Sequence, residues 1–505
     1  MVGLNKNILR TILIISYIMV IALIISGVSA VFSYLNTGAD RSTMLHTEIQ
    51  KETHYLPQIH WAPLKNEGRP MDSENLNALQ NDYLNAWYVK HIAYKTNSKT
   101  GLKDYYTDSA RKNLYDFIAL NKAEAITIEA TTLTHNPRLE FFSEDGQMAV
   151  ITDRDVVEFK RIFKANTLIL ETTETATYNI VFLLEDGFWR IRHLVKTATQ
   201  PYQNKAKTVR NDSLNIKGIN YYPQAHPWDM FGDDFSKETI AKDFKIIKDA
   251  GLNSVRIFVQ YEDFGKANVK PEKLEKLILT LDLAEAQQLK VMVTLFDFYG
   301  DYTVMDWTLT QHHAKQIVSA LKHHKALVAW DIKNEPNLDF ESRGKANVVA
   351  WLNHMIDLVK KTDSIHPVTI GWSNTKSATI LKDKVDIVSF HYYEDLSHLD
   401  QAIITLKDKI HDKPLVLQEF GLSSYSGLWN PFGSTKTNQA DYHKKIQEQI
   451  ATHQLQFMSW TLYDFTAIPT AVVGKLPWRR ETQKHFGFIN ENGTLKPSFT
   501  YISKP

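Results

Sequence analysis

The period of the apolar positions divides the chain before any single residue does. Between Thr11 and Leu35 there is no period: Ile, Leu, Val and Ala dominate a stretch that contains no charged residue. It is long enough to cross a bilayer as a helix, and a helix without a polar face does not suit a soluble core. Lys6 and Arg10 stand before it, so the positive-inside rule places the N-terminal end in the cytoplasm and the rest of the chain outside. The alternative is a secreted protein whose signal peptide is cleaved near Ala30, in the small-residue sequence Val28-Ser29-Ala30. The apolar run exceeds the ~7 to 15 residues of a signal core, which favours the anchor.

Residues 36–73 are polar, carry Pro57, Pro63 and Pro70, and read as a linker. From residue 74 the period becomes helical: Leu76, Leu79, Tyr83, Trp87 and His91 recur every three or four positions, and a second helix is expected around Ala110 to Leu120. After Ala125 alternation takes over, in Ile126-Thr-Ile-Glu-Ala-Thr-Thr-Leu, Met148-Ala-Val-Ile, Ala176 to Leu184 and Phe188 to Leu194, with turns at Glu144-Asp-Gly and Glu185-Asp-Gly. Helices followed by an antiparallel sheet make an α+β domain over residues 74–197. Its last hairpin, Glu185-Asp-Gly-Phe-Trp-Arg-Ile, resembles that of the nuclear transport factor two-like cone. No clustered acid, base or metal set is visible in it, so a spacer or binding module is expected, with its partner unknown.

Residues 198–215 read as a second linker. From residue 216 to 505, short apolar strands alternate with amphipathic helices, the pattern of parallel βαβ units. The strand candidates are Ile216 to Tyr222, Ser254 to Val259, Val291 to Phe296, Val328 to Ile332, Val368 to Trp372, Ile387 to Tyr392, Leu415 to Glu419 and Phe457 to Tyr463. That set closes a barrel, so the fold class is α/β: a C-terminal (β/α)8 TIM barrel behind a small α+β domain and an N-terminal transmembrane helix.

Charge and composition narrow the function. Lys+Arg 58 against Asp+Glu 57 leaves +1, which removes the basic footprint of nucleic-acid binding. Aromatic residues are 11% of the chain, with 11 Trp; such rings stack on sugar faces or fill a core. Cysteine is absent, so disulfides, thiolate metal sites and a cysteine nucleophile are excluded. The adjacent pairs His312-His313 and His323-His324 point different ways on helices and read as solvated faces, so no metal is expected. No phosphate loop or dinucleotide glycine pattern occurs, so no cofactor is expected.

Barrels react at the C-terminal ends of their strands. Strand four ends Trp330-Asp-Ile-Lys-Asn334-Glu335-Pro336, and strand seven ends Leu415-Val-Leu-Gln-Glu419-Phe-Gly421. Two carboxyls are what glycosidic cleavage needs, one to protonate the leaving oxygen and one to attack the anomeric carbon. Taken singly, Asn-Glu-Pro is a common helix entry, Arg256 a salt-bridge partner and His391 a core histidine. Their joint placement at the ends of strands 2, 4, 6, 7 and 8 is what the single readings leave unexplained.

With these residues the barrel resembles clan A of the glycoside hydrolases, most closely its cellulase-like family five. The resemblance implies Glu335 as acid/base, Glu419 as nucleophile, Asn334 on the sugar 2-hydroxyl, Arg256 beside the nucleophile, His391 and Tyr393 beside the two carboxylates, and Trp460 as floor of the cleaved sugar's subsite. A guanidinium beside Glu419 would hold its pKa low, while burial and negative charge would raise that of Glu335. Strand three departs from the family: Leu295-Phe-Asp297-Phe-Tyr299 stands where many members carry a His, with Asp297 or Tyr302 as substitutes. Trp228, Trp307, Trp429 and Trp478 are candidate sugar platforms or packing residues. The expectation is a retaining glycoside hydrolase of the endo-β-glycanase type, acting on a β-linked polysaccharide or oligosaccharide from outside the cytoplasmic membrane. The alternatives are a transglycosylase with the same carboxylates and a non-catalytic carbohydrate-binding scaffold of a secretion system.

Overall fold

The computed structural model describes residues 6–35, 55–202, 214–411 and 413–504. Most of both expected linkers, 36–54 and 203–213, lies outside the described residues. The apolar N-terminal segment forms helix α1, Lys6–Leu35, of 30 residues, with Leu13, Ile14, Ile18, Leu23 and Ile25 all exposed. Among the described residues no helix is long and apolar enough to cross a membrane, so the expected transmembrane span is not a finding of the structure. Several side chains within α1 are outside the described set.

The first globular unit packs two long helices on a curved sheet. Helix α2, Ser73–Thr96, starts where Asp72 accepts the Asn75 backbone N–H at 2.8 Å and stops at Asn97 in the left-handed conformation. After a short turn of helix, α3, at Leu102–Tyr105, helix α4 spans Asp108–Ala123. The sheet runs β1 (Gln58–Ile59), β3 (Ile126–Phe142), β4 (Met148–Lys164), β5 (Thr167–Glu185) and β6 (Phe188–Pro201), with β2 (Glu67–Gly68) also on β3. The long strands are antiparallel, and Asp186 and Gly187, both at positive φ, turn β5 into β6.

Two expectations change here. β1 and β2 pair with β3, and Tyr55 and Met71 are buried in this unit's core, so the proline-rich stretch from Tyr55 to Asp72 belongs to the sheet rather than to a linker. The unit is also not a detached spacer. Leu133 and Phe159 join the barrel core, the Phe159 ring stacks 4.2 Å from that of Trp307, and Arg161 donates to the Ala346 carbonyl at 2.8 Å.

The second unit is a closed parallel barrel in sequence order: β7 (Lys217–Asn220), β8 (Ser254–Gln260), β9 (Lys290–Asp297), β10 (Leu327–Asn334), β11 (Val368–Trp372), β12 (Val388–Tyr392), β13 (Leu415–Phe420) and β14 (Gln456–Ser459). All eight strand candidates are found, although the last ends at Ser459 instead of Tyr463. The strands are buried almost throughout because helices cover their outer faces, hence the continuous apolar runs. One core layer, Ile216, Met292, Ala329, Ile387, Val416 and Met458, fills the N-terminal part of the lumen, leaving the polar residues to the other end. Those polar residues form the site.

Candidate active site

Each expected carboxylate lies where a strand ends or its ladder slips. Pairing of β10 with β11 shifts between Asp331 and Asn334, and Glu335 follows at φ 47° with its N–H donated to the Gly371 carbonyl at 2.7 Å. That kink is costly for a residue with a Cβ and marks a functional position. Pairing of β12 with β13 shifts between Phe390 and His391 and sets His391 opposite Glu419. Ligand atoms of Glu335, His391 and Glu419 all lie within 4.8 Å of one another. Such a triad could geometrically hold a metal, but a guanidinium already stands against Glu419, as follows.

Arg256, fully buried, is the organising cation. Its Nε and Nη2 donate to Asp331 Oδ2 at 3.0 and 2.6 Å, its Nη1 to Asn220 Oδ1 at 3.0 Å, and its Nη2 to Asn334 Oδ1 at 2.9 Å. Only a longer contact, 3.4 Å from Nη1 to Oε2, reaches Glu419. The other Glu419 oxygen accepts from the Tyr393 hydroxyl at 2.8 Å. Asp331, buried beside Arg256, also accepts from Thr294 Oγ1 at 2.8 Å and from the Gly371 N–H at 2.9 Å. A Cβ at Gly371 would lie 2.6 Å from Gln418 Oε1 and 2.8 Å from Arg256 Nη2, so glycine is what lets this cluster close.

The electrostatics corrects one expectation. Burial pushes the Glu419 carboxyl up, with the charge of Glu335 adding to it, and this outweighs the pull of His391, Arg256 and the Tyr393 hydroxyl. Arg256 does pull in the expected direction, but from 3.4 Å, while its shortest contact, 2.6 Å, is to Asp331, and burial outweighs it. For His391, burial pulls the ring down, but the carboxylates of Glu419 and Glu335 overcome it and leave the pKa raised. Its Nδ1 faces Glu335 Oε1 at 3.0 Å and its Nε2 faces Gln418 Oε1 at 3.3 Å. With oxygen acceptors on both sides, the ring is best served by two protons.

The edge supplied by β9 is also charged. Asp297, 3% exposed, accepts from the Tyr222 hydroxyl at 3.3 Å, and burial raises it to about 6, against Lys333 and Arg256. Tyr302 turns away to hydrogen-bond Asp339, so of the two expected substitutes only Asp297 faces this group. Trp460 follows β14 with a cis peptide to Thr461, and its ring packs 5.8 Å from Trp228 and 6.3 Å from Tyr222. Its buried Nε1 has no hydrogen-bond partner. Trp307 instead is 1% exposed between Phe159 and His354, a packing residue and not a platform. Trp429 is 48% exposed, and Leu428 and Phe432 beside it are more so, while Trp478 is half-buried. His313 is buried and bonded to the Lys266 carbonyl at 2.7 Å, so its expected solvated face does not exist.

Asp331, Asn220, Gln418 and Tyr222 complete the site without having been among the expected residues. Their signal was a polar side chain inside an otherwise apolar strand, Asp331 in Ala-Trp-Asp-Ile above all.

Residues 205–466, just over half of the chain, match the family model described as Cellulase (glycosyl hydrolase family 5). Among curated proteins, the beta-glucuronidase of Homo sapiens is 23% identical over 289 residues, 53% of this chain and 41% of that protein. A putative mannan endo-1,4-beta-mannosidase 4 of Arabidopsis thaliana is 28% identical over 173 residues, 25% of this chain and 42% of that protein. The chain thus spans about two-fifths of the length of these curated relatives. Among solved structures, the exo-beta-1,4-mannosidase Op5Man5 from Opitutaceae bacterium strain TAV5 is similar with a TM-score of 0.48 and 18% identity, over 59% of this chain and 60% of that one.

Proposed function

The chain belongs to glycosyl hydrolase family 5, and on that premise we propose that it is a retaining glycosidase of β-linked polysaccharides, with Glu335 as acid/base and Glu419 as nucleophile. The observation that carries this is the closeness of the two carboxylates, whose oxygens lie within 4.8 Å. Retaining enzymes hold their carboxyls about 5–5.5 Å apart, whereas inverting ones leave about 6.5–9.5 Å for a water. At that distance the pair titrates as a unit and shares one proton. Arg256 and Tyr393 donate to Glu419 and His391 faces Glu335; the proposed mechanism puts the proton on Glu335, which must give it to the leaving oxygen, and the charge on Glu419.

In the first step Glu335 gives its proton to the glycosidic oxygen as that C–O bond breaks, and a Glu419 oxygen bonds to the anomeric carbon. In the second, Glu335 takes a proton from water, the water oxygen attacks the same carbon, and Glu419 leaves as carboxylate. Asn334, held by Arg256 at 2.9 Å, is positioned for the sugar 2-hydroxyl, and Trp460 for its ring face. His391 positions Glu335 and balances the charge of both carboxylates.

Endo action and attachment to the outer face of the cytoplasmic membrane are part of the proposal. The anchor rests on the sequence alone, on the uncharged stretch Thr11 to Leu35; about 20 apolar residues suffice to span a bilayer. The test is hydrolysis of β-glucans, mannans and xylans by the wild type beside Glu335→Gln and Glu419→Gln. Both variants are expected to lose activity by roughly 10²-fold or more. Oligosaccharides longer than those supplied would indicate transfer to sugar in place of water. Equal product release by wild type and both variants would sink the assignment.

A further inference from the structure

The α+β unit contains a cavity of its own, about 490 Å³, lined by α2, α4 and the long strands, open to solvent on one side and sharing no residue with the barrel site. That is within the size range of small-molecule sites, about 300–1,000 Å³. Leu114, Phe117, Ile128 and Ile162 make apolar wall. The inner end is charged: Lys90 is 9% exposed, His91 1% and Glu158 4%. Sequence spacing hid this cluster because α2 supplies two of its members and β4 the third.

The charges do not cancel. The Lys90 ammonium sits 3.6 Å from the centre of the Trp87 ring, and among the described residues no carboxylate lies within ion-pair distance of it. Glu158 stands 3.5 Å from His91 Nε2 and 3.3 Å from Lys160. Glu174 is taken by Lys160 at 3.2 Å and Lys196 at 2.5 Å. With Arg192 also lining the cavity, four cations face two carboxylates. Burial lowers Lys90 to about 8, opposed by Glu158, so it keeps its charge at neutral pH. A buried ammonium without a counter-ion is costly unless something supplies the anion. Neither ring nitrogen of His91 makes a hydrogen bond; the proton belongs on Nε2, which faces Glu158, leaving Nδ1 as a buried acceptor.

We propose that this cavity is a binding site for a small hydroxy acid with an apolar body, its carboxylate on Lys90, its hydroxyl donating to His91 Nδ1 and its hydrocarbon against Leu114, Phe117, Ile128 and Ile162. A lysine kept only for packing would have its ammonium at the surface or paired with an acid. This one has a charge, a cavity and an unused acceptor together.

The test is calorimetric titration of the full chain with mandelate, 3-hydroxyoctanoate and D-glucuronate, beside neutral mandelamide. Saturable binding of mandelate or 3-hydroxyoctanoate, weakened roughly tenfold or more by Lys90→Met and absent for mandelamide, is expected. Leu114→Trp, which fills the cavity from its apolar wall, should abolish binding even if Lys90→Met folds poorly, and Glu335→Gln should leave it unchanged. Binding of glucuronate alone would overturn the apolar-body assignment. No saturation by any probe up to about 10 mM, or equal binding by wild type and a folded Lys90→Met, would overturn the site.

Discussion

Asp331→Asn tests the claim that Arg256 is neutralised mainly by Asp331 and only secondarily by Glu419. Both members of that pair are fully buried, so solvent screening does not discount it. Removing one partner of a buried pair costs about 3–5 kcal/mol, because the other charge is left without compensation. Asparagine adds a mismatch, since Oδ2 now accepts from Arg256 Nε, Arg256 Nη2 and Thr294 Oγ1, and an amide nitrogen there would meet donors. For a domain of this size each kcal/mol is about 2–4 °C in Tm, so scanning calorimetry should record a fall of roughly 6–20 °C. The same change frees the guanidinium to act on Glu419, whose carboxyl then falls. A lower pKa keeps the carboxylate ionised to lower pH, so the acid limb of kcat/KM moves down. A Tm within about 2 °C of the wild type, or an acid limb that stays or moves up, would refute the reasoning.

Asp297→Asn should stabilise the protein at neutral pH. The folded carboxyl is raised to about 6 by burial and so binds its proton more tightly than in the unfolded chain, where it titrates near 3.9. Stability is lost as pH rises from about 4 to 6, amounting to about 3 kcal/mol above that window. Urea unfolding should show the variant ahead by that order at pH 7 and level with the wild type at pH 4; a variant less stable at pH 7 contradicts this. Phe159→Ala removes the ring stacked on Trp307 and should cost about 3–5 kcal/mol, with hydrolysis rates kept. An unchanged calorimetric profile would mean that the two units do not depend on this contact.

The barrel was legible because a parallel strand covered on both faces is mostly apolar, as Val291-Met-Val-Thr-Leu-Phe296 is, so strand ends could be located and their carboxylates picked out. What was not legible depends on contacts between distant segments. Asp331 reads as an oddity in a strand until Arg256, 75 positions away, is seen to claim it. The pull expected of Arg256 on Glu419 was right in sign but outweighed by burial, to which the charge of Glu335 adds. For Trp307 sugar platform and packing residue stayed equally open, because its loop position said nothing of Phe159 on the other unit. The stretch from Tyr55 to Asp72 passed for a linker because prolines break periodicity, yet strands of two residues on β3 need none. Lys90, His91 and Glu158 share no spacing that sequence could flag; only the curvature of the sheet brings them together.

The most direct test of the central claim is the configuration of the first-formed product, read by proton NMR within the first turnovers of an aryl β-glycoside. On the proposed mechanism, with the oxygens of the two carboxylates within 4.8 Å, the glycosyl group passes through a covalent intermediate on Glu419, so the β-anomer should appear first and mutarotate to the equilibrium mixture. An α-anomer appearing first would mean direct attack by water, and would contradict the assignment of Glu419 as nucleophile.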